Sequence, residues 1–149
     1  MKNIAQYIRI AVNEASDLLS HMKLDDVSSK GDKNHWSKKE ILGHLIDSAA
    51  NNHQRLVRAS CNAAAAFPAY NQNDWVRIQQ YHESEWSELV ILWSAYNHHL
   101  SDVIERIPAE SLSAPCNLGK EEPVQLEFVI RDYLRHLRHH LNQILGKQA

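Results

Sequence analysis

Four long segments of this chain repeat apolar side chains every three or four positions, which is the period of an amphipathic α-helix. These segments run from about residue 3 to 22, from Ser37 to about Ala65, from Glu85 to Ile107, and from about Gln125 to Leu145. No segment alternates apolar and polar residues over the length of a strand. We therefore predict an all-α protein, a four-helix bundle that forms a single domain over residues 1–149.

Local signals predict several helix ends and the loops between the helices. Ser37 and Glu40 have the spacing of a capping box, in which each side chain binds the backbone amide of the other, so they mark the start of the second helix. Gly146 is a typical stop for the last one. Residues 23–35, 67–74 and 108–123 are rich in turn-forming residues, and we expect loops there.

Charge and composition disfavour several classes of protein. The net charge is −2 and no basic stripe is present, which argues against nucleic-acid binding. No apolar run approaches the ~20 residues of a membrane span, and the first residues lack the apolar core of a signal peptide. Two cysteines are too few for a disulfide scaffold, and Cys61 lies on the apolar side of its predicted helix, where we expect it to be buried. These observations favour a reducing cytoplasm.

Histidines on two predicted helices are candidate metal ligands. His136 and His140 are four residues apart, so both lie on one helix face at an edge of the apolar sector, whereas His139 points away. Such a pair can hold a metal ion, or it can be an ordinary pair of surface residues. His44 lies at the equivalent edge of the second helix and is the best candidate for a third ligand; the alternative is a histidine satisfied within the core.

Polar residues near these histidines are candidates for supporting roles. Asp47 could orient a ligand or act as a base, or it could be a surface carboxylate. Ser48, Asn51 and Arg55 continue a polar stripe that could contact a substrate or merely separate the core from solvent. Asn97 falls near the centre of the apolar face of the third helix, where a polar site could supply its hydrogen-bond partners.

Three stretches give the chain a resemblance to the DinB-like superfamily of metal-binding four-helix bundles. They are residues 36–47 with Gly43-His44-Leu45, residues 70–75, and residues 132–144 with the histidine pair. The resemblance implies an antiparallel bundle with one long crossover, often a homodimer, and a divalent metal ion such as zinc or nickel. The family's ligand motif falls here on His44, His136 and His140. Characterised members include transferases and isomerases that use low-molecular-weight thiols.

Three neutral imidazoles with one open position are the arrangement of a catalytic metal site. Such a site produces a nucleophile at neutral pH from a bound water or a substrate thiol. We therefore predict a metal-dependent thiol transferase or hydrolase acting on a small molecule. The alternative is a bundle that binds metal, or only dimerises, without turnover. Imidazole ligands suit zinc, nickel, copper and iron alike.

Overall fold

Four long helices form the framework of the protein. The computed structural model describes residues 1–30, 35–61, 66–119 and 121–146. Within these ranges the long helices are α1 (Lys2–Ser20), α3 (Lys38–Cys61), α5 (Trp86–Arg106) and α6 (Leu126–Leu145), and the short ones are α2 (Leu24–Ser28) and α4 (Gln72–Gln79). Single 3₁₀ turns cover Tyr81–Glu83 and Ala109–Ser113. The strands β1 (Pro115–Cys116) and β2 (Val124–Gln125) pair antiparallel before α6.

The long helices pack so that α1 and α3 each contact both α5 and α6. Their inward faces carry the predicted apolar periodicity and bury it almost completely, which is the main source of stability for such a bundle. The largest fully buried side chains include Ile8, Leu42, Leu56, Trp93, Ile104, Ile130 and Leu137. The α3–α6 contact is the one that matters for the site described below.

Two of the predicted helix ends are confirmed by their hydrogen bonds. The backbone amide of Ser37 donates to Glu40 Oε2 at 2.8 Å, and the amide of Glu40 donates to Ser37 Oγ at 3.3 Å, which completes the capping box before α3. At the other end of the chain, α6 stops at Gly146, whose φ of 65° is left-handed and favours glycine.

Three expectations about the connections are wrong. The polar stretch 23–35 contains α2, and the last residues of the expected loop 67–74 begin α4, where the Asn71 side chain accepts from the amides of Asn73 and Asp74. Both helices are too short to show a periodic apolar face. The two-residue strands β1 and β2 are likewise too short to alternate visibly. The predicted end of the second helix at Ala65 lies outside the described residues; Cys61, at the last described position of α3, is exposed rather than buried.

Within the described ranges, no helix combines the length and the apolar character needed to cross a membrane.

Candidate metal centre

Three histidines from two helices meet at one end of the α3–α6 contact. His44 Nε2 lies 3.1 Å from His136 Nε2, and the ring of His140 lies 4.8 Å from that of His44 and 4.5 Å from that of His136, measured between centroids. One nitrogen from each ring can be chosen so that all three lie within 4.8 Å of one another. The expected convergence of His44 with the α6 pair is therefore present. That these residues bind a metal stays a prediction.

The helices position the cluster through simple geometry. One α-helical turn separates His136 from His140, so the two rings are neighbours on one face of α6, where they meet edge to face beside His44. On α3, His44 is only 2% exposed, and the indole of Trp36 covers it at a centroid distance of 5.1 Å. The cluster is thus covered on the α3 side and reaches solvent through the half-buried His136 and His140.

The outer nitrogens of two rings have neutral partners. Nδ1 of His140 lies 2.7 Å from Gln143 Oε1, and Nδ1 of His136 lies 3.4 Å from Ser48 Oγ. Because a carboxamide oxygen only accepts, the His140 proton sits on Nδ1 and the Nε2 lone pair stays available. Nδ1 of His44 is buried without a hydrogen-bond partner in the described structure. This donor set fits a divalent cation that prefers nitrogen ligands.

All three imidazoles are held neutral at neutral pH. Burial, reinforced by the neighbouring His136 and His140, lowers the pKa of His44 to about 3. Burial and His140 lower the pKa of His136 to about 4. Burial also lowers the pKa of His140, although its bond to Gln143 opposes the shift. A neutral imidazole has a free nitrogen lone pair, and a metal ion binds histidine in this neutral form.

Acidification should destabilise the metal-free protein. A histidine of the unfolded chain titrates near its ordinary pKa of 6.5, which is above that of the three rings and well above those of His44 and His136. Below about pH 6.5 the unfolded state therefore binds more protons. The stability that these rings contribute is complete above that pH and is lost progressively towards about pH 4. We expect the urea midpoint to fall between pH 7.5 and 5, and to fall less in His44→Gln; a midpoint independent of pH would contradict the argument.

The three residues expected to support the ligands lie in different places. Of the three, Ser48 is the residue whose side chain contacts a candidate ligand, His136. Asp47 is 3% exposed, so it is not a surface carboxylate, but its Oδ1 accepts from Tyr81 and from Gln79, both at 2.6 Å. The amide of Asn51 donates to the backbone oxygen of Asp47 at 2.9 Å. No described hydrogen bond joins Asp47 or Asn51 to the histidines.

Tyr81 is a contact that sequence reasoning missed. Its ring lies directly over Gly43. A Cβ atom at position 43 would come much closer than 3.0 Å to the ring atoms, and real Cβ atoms essentially never make contacts that short. The glycine before His44 is therefore needed for close approach, so that the Tyr81 hydroxyl can reach Asp47. This contact fixes the segment after α4 against the helix that carries His44.

Asn97 has partners unrelated to the histidine cluster. Its Oδ1 accepts from the hydroxyl of Tyr133, and its Nδ2 donates to the backbone oxygen of Trp93 at 2.8 Å. The expectation that a polar site would satisfy this buried residue is therefore wrong. Tyr133, at 2% exposure, belongs to the core.

A cavity of about 270 Å³ opens beside the cluster and provides access to it. Trp36 and Ile41 form its apolar wall. Its polar wall is formed by His35, Asn73, His140 and Gln143. Asn73 comes from α4, the helix that the sequence reading placed partly in a loop. A small molecule in this cavity would touch His140 directly.

Comparisons with known proteins identify the family and the fold. Residues 5–144 match the model of the DinB superfamily. One similar structure is that of YfiT from Bacillus subtilis, described as a probable metal-dependent hydrolase with an unusual four-helix bundle topology. It superimposes with a TM-score of 0.80 at 16% sequence identity, and the match covers 97% of this chain and 83% of YfiT. The chain therefore has the fold of that bundle.

A second structure, that of a mycothiol-dependent maleylpyruvate isomerase, superimposes with a TM-score of 0.77 at 14% identity. The match covers 99% of this chain and 61% of the isomerase, so the chain spans less than two thirds of that protein. The comparison with curated proteins found no match.

Proposed function

The chain belongs to the DinB superfamily, and on that premise we propose that His44, His136 and His140 bind one divalent metal ion, zinc or nickel, that activates a thiol or a water molecule. The observation that carries this proposal is the convergence of three ring nitrogens, from two helices, within 4.8 Å of one another. Three protein ligands leave one coordination position for an exogenous ligand, which distinguishes a catalytic site from a closed structural one.

The surrounding residues suit such a site. A bound divalent ion supplies Lewis acidity, which lowers the pKa of a thiol or water at the open position. Burial keeps the three rings neutral, and the contacts of Ser48 and Gln143 hold two of them in orientation. Trp36 and Ile41 give the neighbouring cavity an apolar wall, and Asn73 in its lining has a side-chain carboxamide that can hydrogen-bond a substrate.

Thiol transfer is the first of two reactions that we propose. In it, the sulfur of a low-molecular-weight thiol forms a bond to an electrophilic carbon of a small substrate while the bond from that carbon to its leaving group breaks. The leaving group departs with the bonding electrons, and the thiol proton leaves to solvent. The fold shared with a mycothiol-dependent isomerase supports this assignment. Hydrolysis is the second candidate, and the fold shared with YfiT over most of both chains supports it. The remaining alternative is a bundle that binds metal or dimerises without turnover.

Metal content and turnover distinguish these possibilities. We expect protein purified without an affinity tag or added metal to contain about one zinc or nickel ion per chain by elemental analysis. A thiol with an electrophile should then be consumed at a rate that falls when the metal is removed by a chelator. A hydrolase would instead cleave an ester or amide without any thiol. Metal without turnover identifies a binding protein, and absence of metal rejects the proposal.

Two further properties stay predictions. Homodimerisation is expected from the family resemblance and can be tested by light scattering. The cytoplasmic location rests on the low number of cysteines and can be tested by fractionation.

A further inference from the structure

The contacts around the histidine cluster add no negative charge to it. The two rings with polar partners bind a carboxamide, that of Gln143, and a hydroxyl, that of Ser48. In the part of the chain that the structure describes, no carboxylate is hydrogen-bonded to any of the three rings. An ion held there by neutral imidazoles would keep its full double charge.

The nearest carboxylates are engaged elsewhere. Asp132 lies one turn before His136 and raises the pKa of that ring, but its Oδ1 pairs with Arg135 at 2.5 Å. Asp47 accepts from Tyr81 and Gln79 and has no described hydrogen bond to the cluster. The described lining of the cavity beside His140 also contains no acidic residue. Among the described residues, therefore, no carboxylate lines this cavity, and the charge of Asp132 is paired with Arg135.

The carboxamide of Gln143 orients the ring of His140 without adding a charge. Its Oε1 accepts from His140 Nδ1 at 2.7 Å, which holds the ring and leaves its Nε2 lone pair free. A carboxylate could hold the ring in the same way, but it would make the imidazole more basic and bring a negative charge to the mouth of the cavity. An amide orients the ligand and leaves the charge of the centre uncompensated.

Resting on the proposed metal site, we propose that Gln143 is a positioning residue whose neutral carboxamide, in place of a carboxylate, makes the centre selective for an anion as its exogenous ligand. The ion attracts the anion, and among the described residues no carboxylate bound to the three rings offsets that attraction. Beside the apolar wall that Trp36 and Ile41 form, this difference is larger than in bulk water.

The test measures metal binding and anion binding separately, with Co²⁺ as the metal, azide as the anionic probe and imidazole as the neutral one. In Gln143→Glu we expect Co²⁺ to bind about tenfold more tightly, because the carboxylate raises the basicity of His140. Azide should bind about threefold more weakly to the Co²⁺-loaded variant, most clearly at low salt. Imidazole affinity should not change. A merely structural role for Gln143 would not move the two affinities in opposite directions.

Two more variants complete the experiment. Gln143→Ala should weaken Co²⁺ binding about tenfold while azide affinity stays nearly constant. Asn142→Asp introduces the same charge one residue away, on the face that lines the α1–α6 groove, and should leave both affinities almost unchanged. Gln143 is exposed, so these substitutions do not endanger the fold.

The outcomes separate the two proposals. If wild-type protein binds no Co²⁺, the metal site itself is refuted. If it binds Co²⁺ but Gln143→Glu leaves azide affinity unchanged, or weakens azide and imidazole equally, the anion selection is refuted and the metal site stands. An equal loss of azide affinity in Asn142→Asp would also overturn the role assigned to Gln143.

Discussion

The His140→Ala protein should lose stoichiometric metal while keeping its helical content. Removing one of three nitrogen ligands leaves the two-ligand arrangement of His44 and His136, and we expect the affinity to fall by more than about 100-fold, beyond the loss typical of an outer contact. His140 is half-buried at the end of the cluster, so truncation opens no large cavity. Elemental analysis of the purified variant and far-UV circular dichroism measure the two quantities.

His139→Ala is the matched control for this variant. Its ring is next in sequence and lies 4.9 Å from the ring of His140, but it is exposed and is not a member of the cluster. It should retain the metal content of the wild type. A His140→Ala protein with unchanged metal content would show that the three imidazoles are not the ligands. His44→Ala tests the same idea less cleanly, because that side chain is 2% exposed.

Gly43→Ala should be among the most destabilising single-methyl substitutions in the chain. The new methyl group would overlap Cγ and Cδ2 of the Tyr81 ring. These atoms lie close to the backbone, so no rotation of a flexible chain end can move them away. Either α3 or the turn at residues 81–83 must shift, and we expect a loss of about 3 kcal/mol in the free energy of unfolding. Urea denaturation followed by circular dichroism measures it.

A double-mutant cycle assigns this loss to one contact. In a Tyr81→Ala background the ring is absent, so adding Gly43→Ala should cost much less, and helix propensity even favours alanine there. Tyr81→Phe keeps the ring and removes only the hydroxyl that donates to Asp47; in that background Gly43→Ala should cost as much as in the wild type. Equal costs in all three backgrounds would mean that the clash lies elsewhere.

The sequence predicted those features that depend on residues close together in the chain. The capping box needs only Ser37 and Glu40, and the shared face of His136 and His140 needs only the helical repeat. Placing His44 opposite them required the family resemblance as well, because periodicity identifies the edge of a helix but not the neighbour that it faces.

The features that were missed depend on contacts between distant segments. Tyr81 reaches Asp47 across 34 positions, and Tyr133 reaches Asn97 across 36. Neither pairing follows from the pattern of one helix, since each requires the relative rotation of two elements. The helix α4 was missed for a different reason: at eight residues it has only two turns, and its Asn71 cap was interpreted as part of a loop.

The pairing of His44 with His136 joins positions that are 92 residues apart. An ion shared by these two side chains would work as a reversible cross-link between the first third of the polypeptide and its final helix. Its contribution would follow mass action, with about 1.4 kcal/mol of added resistance to unfolding for each tenfold rise in free metal above the dissociation constant. The lifetime of the native chain would then follow the supply of the metal in its surroundings.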